Sequence, residues 1–285
     1  MKIGIQTGAF TYIADVKARY AHIKSLGYDT VDVSLADTKA TWYQDTAVME
    51  AHCREIHEAA AAAGIEISQV HGPWPTDDTS EEKRALVLED MRRSMYGCYL
   101  MGAHNLVIHP QMPFGHGGVN EDPEFALEKT VELMRNLLPD CEKYDVVLCL
   151  ENMPFTKQRI STIDRIVEAV EKVGSPYAGV CFDTGHGNVF GRDLGDDVRC
   201  CARYLRVLHV HDNNGRMDSH LLPYRGTANW ESFTKALAEV GYTGSLSLET
   251  VGPTSGHMPQ PLLEQGQKLT VNVARWLADQ VEAAK

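Results

Sequence analysis

The order of apolar and polar positions along the chain predicts eight short strands, each followed by a longer helix. Runs rich in apolar and β-branched residues indicate strands, and segments with apolar residues three or four positions apart indicate helices. The predicted strands are residues 2–7, 30–35, 65–70, 105–108, 146–150, 178–182, 205–208 and 245–248. The predicted helices are residues 12–26, 46–63, 80–101, 123–144, 161–173, 194–204, 230–240 and 261–284. Several of these helices stop at a glycine, such as Gly27 or Gly64.

This alternation predicts a parallel (β/α)₈ barrel, a TIM barrel of the α/β class. Eight strand and helix units in 285 residues match that fold in both count and size. A doubly wound open sheet is the competing fold, but it would usually need a second domain to use eight such units. No proline- or serine-rich linker and no shift in composition marks a boundary. We therefore expect a single (β/α)₈ barrel domain over residues 1–285.

Composition narrows the partners that such a barrel is expected to have. The formal net charge is −12, and so acidic a surface repels a phosphate backbone, which argues against nucleic acid as the partner. The seven cysteines are scattered without a C-x-x-C pair, which argues against a disulfide framework and a structural zinc site. There is no signal-peptide pattern and no run of 18 apolar residues. We expect a cytoplasmic protein with no membrane partner.

Residues able to bind metal stand at the C-terminal ends of predicted strands three to eight, where barrels of this kind carry their chemistry. These residues are His71, His109, Glu151, Asp183, His209 and Glu249. Glu151 and Glu249 directly follow apolar residues, and burying a carboxylate is costly unless it is paired or bound to a cation. Residues 209–220 add further ligands, with three histidines and two aspartates in twelve positions. This density of nitrogen and oxygen ligands predicts a divalent metal site.

Four motifs at these strand ends resemble the xylose isomerase-like barrels, a family of sugar isomerases, ketose 3-epimerases, inosose dehydratase-like enzymes and endonuclease IV-type repair nucleases. The motifs are LEN at 150–152, FDTGH at 182–186, HVHDN at 209–213 and LET at 248–250. The resemblance covers nearly the whole chain in layout. It implies a homo-oligomer with a divalent ion, which is Mn, Zn, Co or Mg. The implied ligands are Glu151, Asp183, His209 and Glu249.

The epimerase branch of the family implies a small-molecule sugar or sugar derivative as the substrate. A divalent ion chelated by neighbouring oxygens of a ketose would acidify the C–H bond between them and stabilise the enediolate that forms. Glu151 and Glu249 are the candidate catalytic residues, which would remove and return the proton. Binding the metal without moving a proton is the alternative role for this pair. The resemblance assigns substrate contacts to His186 and Arg216, as donors to the developing oxyanion.

Other residues near the predicted barrel mouth are candidates for substrate binding. The aromatic residues are Trp42, Tyr43, Trp74 and Phe114, which could form an apolar wall against a sugar ring or contact another subunit. The imidazoles with the same candidate role are His71, His109 and, less directly, His257. Arg225 would suit an anionic or phosphorylated sugar, with a surface ion pair as the alternative.

Three other functions remain open. A nuclease of the endonuclease IV type would be a tri-zinc phosphodiesterase, and the chain has residues that match its additional ligands. These possible additional metal ligands are His71, His109, His186, Asp218 and His220. Residues 75–82 are acidic where a nuclease would need Arg or Lys, so this function ranks second. A dehydratase or lyase of the same family ranks third, and a non-catalytic sugar-binding barrel is the alternative outside enzymes.

Overall fold

The computed structural model describes residues 1–76, 80–112, 122–250 and 258–285, and its centre is a sheet of eight parallel strands. The strands are β1 (Lys2–Gln6), β2 (Thr30–Ser34), β3 (Glu66–His71), β4 (Asn105–Ile108), β5 (Val147–Glu151), β6 (Ala178–Asp183), β7 (Leu205–His209) and β8 (Ser245–Leu248). Their order in the sheet is β7-β6-β5-β4-β3-β2-β1-β8. Each strand therefore lies beside its neighbour in sequence, and β1 also pairs with β8.

The sheet closes on itself between β7 and β8 through Val210, the residue after β7. Val210 N donates a hydrogen bond to Ser247 O at 2.8 Å, and Glu249 N donates one to Val210 O at 3.1 Å. These bonds form a parallel bridge between Val210 and Leu248. The (β/α)₈ barrel predicted from the sequence is confirmed.

Helices follow the strands around the outside of the barrel. They are α1 (Val16–Leu26), α2 (Thr41–Gln44), α3 (Thr46–Ala63), α4 (Glu81–Leu100), α5 (Pro123–Tyr144), α6 (Ile163–Val173), α7 (Thr184–Val189), α8 (Leu194–Cys201), α9 (Trp230–Glu239) and α10 (Gln260–Ala283). Helix α1 begins later than predicted because the Asp15 side chain caps it, accepting a hydrogen bond from Ala18 N at 2.7 Å. The apolar pattern does not predict α2 or α7. Within the described residues, no helix combines the length and the apolar sequence that crossing a bilayer requires.

Alternation along the strands separates an inner from an outer face. The inner face carries a small buried cluster formed by Val107, Cys149, Cys181 and Val207. The outer face packs against the helices and contributes to the large apolar core. Glu151, Asp183 and His209 each lie two positions beyond a member of the inner cluster, so they share its face. The polar residues at the strand ends therefore lie next to this apolar cluster, on the side toward the C-terminal end of the barrel.

Candidate metal centre and active site

A cavity of about 440 Å³ opens at the C-terminal ends of the strands. Its polar lining includes Gln6, His71, His109, Glu151, His186, Asp218, His220 and Glu249. Its apolar lining includes Trp74, Met153 and Phe155. The rings of Trp74 and Phe155 are nearly parallel, with centroids 6.1 Å apart and an interplanar angle of 3°. The cavity thus combines metal-binding residue types with a flat aromatic surface.

The first group of ligand-type side chains, which we name the Glu151 cluster, consists of His71, His109, Glu151, His209 and Glu249. His209 Nδ1 lies 2.7 Å from Glu151 Oε1 and 3.1 Å from Glu249 Oε2. His109 Nε2 lies 3.1 Å from the other oxygen of Glu151, Oε2. The His71 ring stacks on the His209 ring, with centroids 5.5 Å apart. One buried imidazole nitrogen therefore lies between two carboxylates.

The second group, which we name the Asp183 cluster, consists of Asp183, His186, His211, Asp218 and His220. His211 Nε2 lies 3.0 Å from Asp183 Oδ2. Asp218 Oδ2 lies 3.1 Å from His220 Nε2 and 3.3 Å from His186 Nε2. The rings of His211 and His220 stack with centroids 4.1 Å apart. Three imidazoles and two carboxylates are therefore in mutual contact beside the cavity.

Contacts between the ends of β5 and β6 fix the position of Asp183 and His186. Asn152 Nδ2 donates to Asp183 O at 2.9 Å, and Asp183 N donates to Asn152 Oδ1 at 2.8 Å. Asp183 Oδ1 then caps α7 by accepting a hydrogen bond from His186 N at 2.7 Å. His186 Nδ1 lies 2.7 Å from Asn152 O. A Cβ on Gly185 would lie 1.9 Å from the His211 ring, so this position requires glycine. These contacts explain why Asn152 is needed in the LEN motif and why Asp183, Gly185 and His186 are needed in the FDTGH motif.

Asp212 has a structural role in the loop that follows β7. Its buried carboxylate accepts hydrogen bonds from three backbone N–H groups at 2.8 to 3.2 Å and from Trp230 Nε1 at 3.0 Å. A Cβ on Gly226 would lie 2.0 Å from a backbone carbonyl oxygen of this loop, so glycine is required there. The loop carries Asp218 and His220, which places both side chains in the Asp183 cluster.

Burial and charge act in opposite directions on the Glu151 cluster. Burial alone would raise the pKa of Glu151, but the His209 and His109 rings hold it well below its ordinary value. Burial would likewise lower the pKa of His209, but Cys181 and the carboxylates of Glu249 and Glu151 raise it well above its ordinary value. The pKa of His109 is lowered, chiefly by burial. The Glu151 carboxylate and the His209 ring therefore each favour the charged form of the other.

Burial and neighbouring charges also have opposite effects on the pKa values of the Asp183 cluster. Burial opposes the charged forms of His186 and His220, but Asp183 and Asp218 raise the pKa of His186 to about 10. Asp218 is also the main partner that raises the pKa of His220 to about 9 against the effect of burial. The pKa values of both aspartates are lowered despite burial, since these imidazoles favour the carboxylate form. The imidazole protons therefore neutralise carboxylates that a metal cation would also neutralise.

The side chains present fit a divalent ion. Among the described residues, His211 Nδ1 is buried and has no hydrogen-bond partner. One ligand atom each from His71, His209 and Glu249 lies within 4.8 Å of the others, and so do ligand atoms of His211, Asp218 and His220. Imidazole nitrogens and carboxylate oxygens are the ligands that zinc and manganese sites use. Both clusters therefore supply suitable ligands.

Three of the four predicted metal ligands, Glu151, His209 and Glu249, come into direct contact in the structure. Asp183, the fourth, contacts the imidazoles of the second cluster instead. His186 lies between the two groups, with its Nδ1 3.8 Å from Glu151 Oε1 and 3.7 Å from Asp183 Oδ1. The additional ligands predicted from the nuclease branch divide between the clusters.

The predicted substrate contacts have different positions relative to the cavity. His71, Trp74, His109 and His186 line it. Arg216 is exposed and is not among the described lining residues, so its contact with substrate stays a prediction. Phe114 and His257 lie outside the described residues.

The aromatic wall differs in part from the prediction. Tyr43 is buried away from the cavity, with its hydroxyl 3.0 Å from Ser94 Oγ. Trp42 packs on the His52 ring, with centroids 4.7 Å apart. Phe155 stacks against Trp74 in their place.

Several residues of the site are not predicted from the sequence. Asp32 Oδ2 lies 3.0 Å from His209 Nε2 inside the barrel. Gln6 Nε2 donates to Glu249 Oε1 at 3.1 Å. His211 is one of the three histidines predicted as ligands within residues 209–220, and it lies two positions after His209, but the sequence assigns it no separate role. The sequence indicates no role for Asp32 or Gln6, since neither of their strands ends in a recognised motif.

Comparison with known proteins identifies the family. The model of the xylose isomerase-like TIM barrel family matches residues 20–280. A D-psicose 3-epimerase of Enterocloster bolteae is 24% identical over 257 residues, which cover 87% of this chain and 82% of that protein. A probable endonuclease 4 of Methanoculleus marisnigri is 29% identical over 185 residues, which cover 57% of this chain and 61% of that protein.

A solved structure supports the same grouping at the level of the fold. The crystal structure of the IOLI protein with a binding zinc atom has a TM-score of 0.76 and 16% sequence identity to this chain. The match covers 100% of this chain and 99% of that one. Since the family model spans nearly the whole sequence, the resemblance seen in the motifs is confirmed, and the chain belongs to the xylose isomerase-like TIM barrel family.

Proposed function

We propose that the chain is a divalent-metal-dependent carbohydrate epimerase or isomerase. One observation carries this proposal: Glu151 and Glu249 lie on either side of His209 Nδ1, at 2.7 and 3.1 Å, in a cavity with an aromatic wall. Moving a proton to or from a carbon next to a carbonyl requires a general base near that carbon, a role that a carboxylate can fill, and stabilisation of the charge that develops. The epimerase relative, which aligns over 82% of its length, supports the same reaction class.

The metal ligands that we propose are Glu151, Asp183, His209 and Glu249. A divalent ion bound there would supply Lewis acidity, which makes a C–H bond beside the substrate carbonyl more acidic. His186 Nδ1 lies within 4 Å of both Asp183 and Glu151, which supports including Asp183 in this group. The Asp183 cluster offers ligands for a further ion.

The protein's own side chains would hold and move the proton. Glu151 and Glu249 are the proposed acid and base, and Gln6 Nε2 orients Glu249 by donating to its Oε1 at 3.1 Å. His186 would donate a hydrogen bond to the substrate oxygen on which negative charge develops. Its ring is held by Asn152 O at 2.7 Å from Nδ1, which leaves Nε2 on the side of Asp218 and the cavity.

We propose an unphosphorylated sugar as the substrate, because the described part of the cavity lining contains no lysine or arginine. The segments outside the description, 77–79, 113–121 and 251–257, contain neither residue type in the sequence. A phosphate group would ordinarily be bound by such cations. Arg225, the residue considered for an anionic sugar, is exposed and does not line the cavity.

A phosphodiesterase of the endonuclease IV type is the second candidate. The observation that favours it is the Asp183 cluster, whose three imidazoles and two carboxylates could hold more than one ion. The endonuclease relative supports it over 61% of that protein's length. The absence of lysine and arginine from the described cavity lining counts against it, since a DNA backbone is bound mainly through such cations.

Metal content and hydrogen exchange test the proposal directly. We expect purified protein to contain a divalent ion by elemental analysis and to introduce deuterium from heavy water into a ketose at C1 or C3. Deuterium at C3 would indicate epimerisation, and deuterium at C1 would indicate isomerisation. Loss of water from the sugar would favour the dehydratase instead. Cleavage of abasic DNA without exchange into any sugar of the panel would contradict the proposal.

Glutamine variants test the two carboxylates. We expect Glu151→Gln and Glu249→Gln each to lower kcat by 10²- to 10⁴-fold, the usual contribution of acid and base groups. Glu66→Gln is the matched control, because Glu66 is an exposed residue that pairs with Lys2 and starts β3 at the opposite end of the barrel. A variant of Glu151 or Glu249 with a near-normal rate and normal metal content would remove that residue from the mechanism.

A further inference from the structure

We infer that Asp32 is a positioning residue that orients His209 toward the metal, an inference that rests on the proposed metal-dependent function. Asp32 lies on β2 and is fully buried inside the barrel. His209 Nε2 lies 3.0 Å from Asp32 Oδ2, while His209 Nδ1 faces Glu151 and Glu249. The two nitrogens of one ring therefore face a carboxylate on one side and the proposed metal ligands on the other.

This geometry determines which nitrogen can bind a metal ion. An imidazole has one proton in its neutral form, and a carboxylate facing one nitrogen keeps the proton on that nitrogen. Asp32 would thus hold the proton on His209 Nε2 and leave the lone pair on Nδ1. A carboxylate behind a metal-binding histidine also fixes the ring orientation and makes the nitrogen a stronger ligand.

Gln69 holds Asp32 in this position. Gln69 Nε2 lies 3.4 Å from Asp32 Oδ2 and 3.3 Å from Leu208 O, the carbonyl directly before His209. The amide of Gln69 therefore connects the carboxylate on β2 with the backbone of β7 across the barrel interior. Gln69 therefore helps to fix the position of Asp32 relative to His209.

The contacts of Asp32 are few for a buried carboxylate. Its Oδ1 has no hydrogen-bond partner among the described residues. A buried carboxylate satisfied on one oxygen only is expected to cost stability. A role in orienting His209 would explain why a carboxylate is present at position 32 despite this cost.

Metal affinity is the measurement that tests the inference. We expect Asp32→Asn, which keeps the size of the side chain, to bind Zn²⁺ 10- to 100-fold more weakly than wild type in a chelator competition. Asp197→Asn is the matched control, because it makes the same change in a buried residue on an outer helix, and we expect its affinity to stay within twofold. Wild-type affinity in Asp32→Asn would overturn the inference and leave the proposed function standing. Failure of the wild type to bind Zn²⁺ would overturn both.

Nitrogen NMR of the histidine rings separates positioning from a general loss of structure. In zinc-loaded wild type we expect the His209 signals of a ring protonated at Nε2 with Nδ1 coordinated. In Asp32→Asn at the same zinc concentration we expect a second set of His209 signals, from rings whose Nδ1 does not coordinate zinc. An unchanged His209 spectrum would overturn the inference. If Asp32→Asn does not fold, Gln69→Leu loosens the same carboxylate, and unchanged zinc affinity in that variant would overturn the inference equally.

Discussion

Gly185 and His211 occupy adjoining space in the Asp183 cluster, and this contact has an energetic consequence. A Cβ at Gly185 would lie 1.9 Å from His211 Cε1 and 2.3 Å from its Nδ1. Alanine should favour helix α7 by about 1 kcal/mol on intrinsic propensity alone. Overpacking of a buried site costs about 1 to 3 kcal/mol and acts in the opposite direction.

We therefore expect Gly185→Ala to lower the free energy of unfolding by about 2 kcal/mol in urea denaturation. Gly8→Ala is the control, because its nearest neighbour would be an ordinary 3.4 Å from the added Cβ. A Gly185→Ala variant as stable as wild type would mean that the His211 ring can move away without cost.

The imidazole protons of the Asp183 cluster predict how stability depends on pH when metal is removed. The folded-state pKa values are about 9 for His220 and about 10 for His186, above the usual value of 6.5. Groups with raised pKa values stabilise the folded state fully below about pH 6.5, and this stabilisation is lost as pH rises through the folded-state values.

With EDTA present, we expect the free energy of unfolding to fall by on the order of 2 kcal/mol between pH 6.5 and 9.5, measured by urea denaturation. The fall should be smaller in His220→Gln. It should also be smaller with Zn²⁺ present, because a bound ion takes over the role of the protons. Constant stability over this range without metal would contradict the prediction.

Single residues also show where sequence reasoning succeeds. Strand alternation and the barrel rule place Glu151, His209 and Glu249 together from the sequence alone, since all three end strands of one closed sheet. Asp32 is different, because it is an acidic residue between two valines in the middle of β2. Its partner, His209, is 177 positions away. Nothing in the local pattern indicates that pairing, which depends on the register of strands across the barrel.

At the scale of elements, long amphipathic helices are predicted and short ones are not. Helices such as α5 and α6 have apolar residues at regular helical spacing over three turns or more. Helix α7 has six residues, two of them glycines, and no apolar repeat. It forms because Asp183 caps its first turn and Asn152 holds the strand before it. Tertiary contacts therefore determine α7, and a single sequence does not show them.

Asp193 joins two neighbouring elements through one side chain. It caps α8 by accepting hydrogen bonds from Gly195 N at 2.9 Å and Asp196 N at 3.2 Å. The same carboxylate accepts hydrogen bonds from Ser232 Oγ in α9 and from Asn229 Nδ2, the residue before α9. These partners hold the pKa of Asp193 below its usual value despite partial burial.

We expect Asp193→Ala to lower the free energy of unfolding by about 2 kcal/mol, the upper end for a helix cap, because the link to α9 is lost with the cap. Asp15→Ala, which removes the cap of α1 alone, should cost about 1 kcal/mol. Chemical denaturation of both variants checks the difference. Equal losses would indicate that the contacts with α9 contribute little.

At the scale of the whole molecule, the eight-stranded ring makes residues 1–285 one expected unit of unfolding. Each strand pairs with neighbours on both sides, so removing one strand opens the sheet. We expect one transition in calorimetry, with equal calorimetric and van't Hoff enthalpies. Two separated transitions would contradict the single-domain expectation. Net charge and composition indicate the class of partner at this scale, but the choice of sugar depends on cavity contacts that they do not describe.

The closure between β7 and β8 gives the proposed metal site a mechanical role as well as a chemical one. Val210 joins the last two strands through one bond to Ser247 O and one from Glu249 N. His209 lies directly before this seam, and Glu249 stands on its other side. An ion held by both residues would tie β7 to β8 at the closure of the ring. The bound ion would then stabilise the closure of the barrel at the C-terminal ends of the strands, where the proposed chemistry takes place.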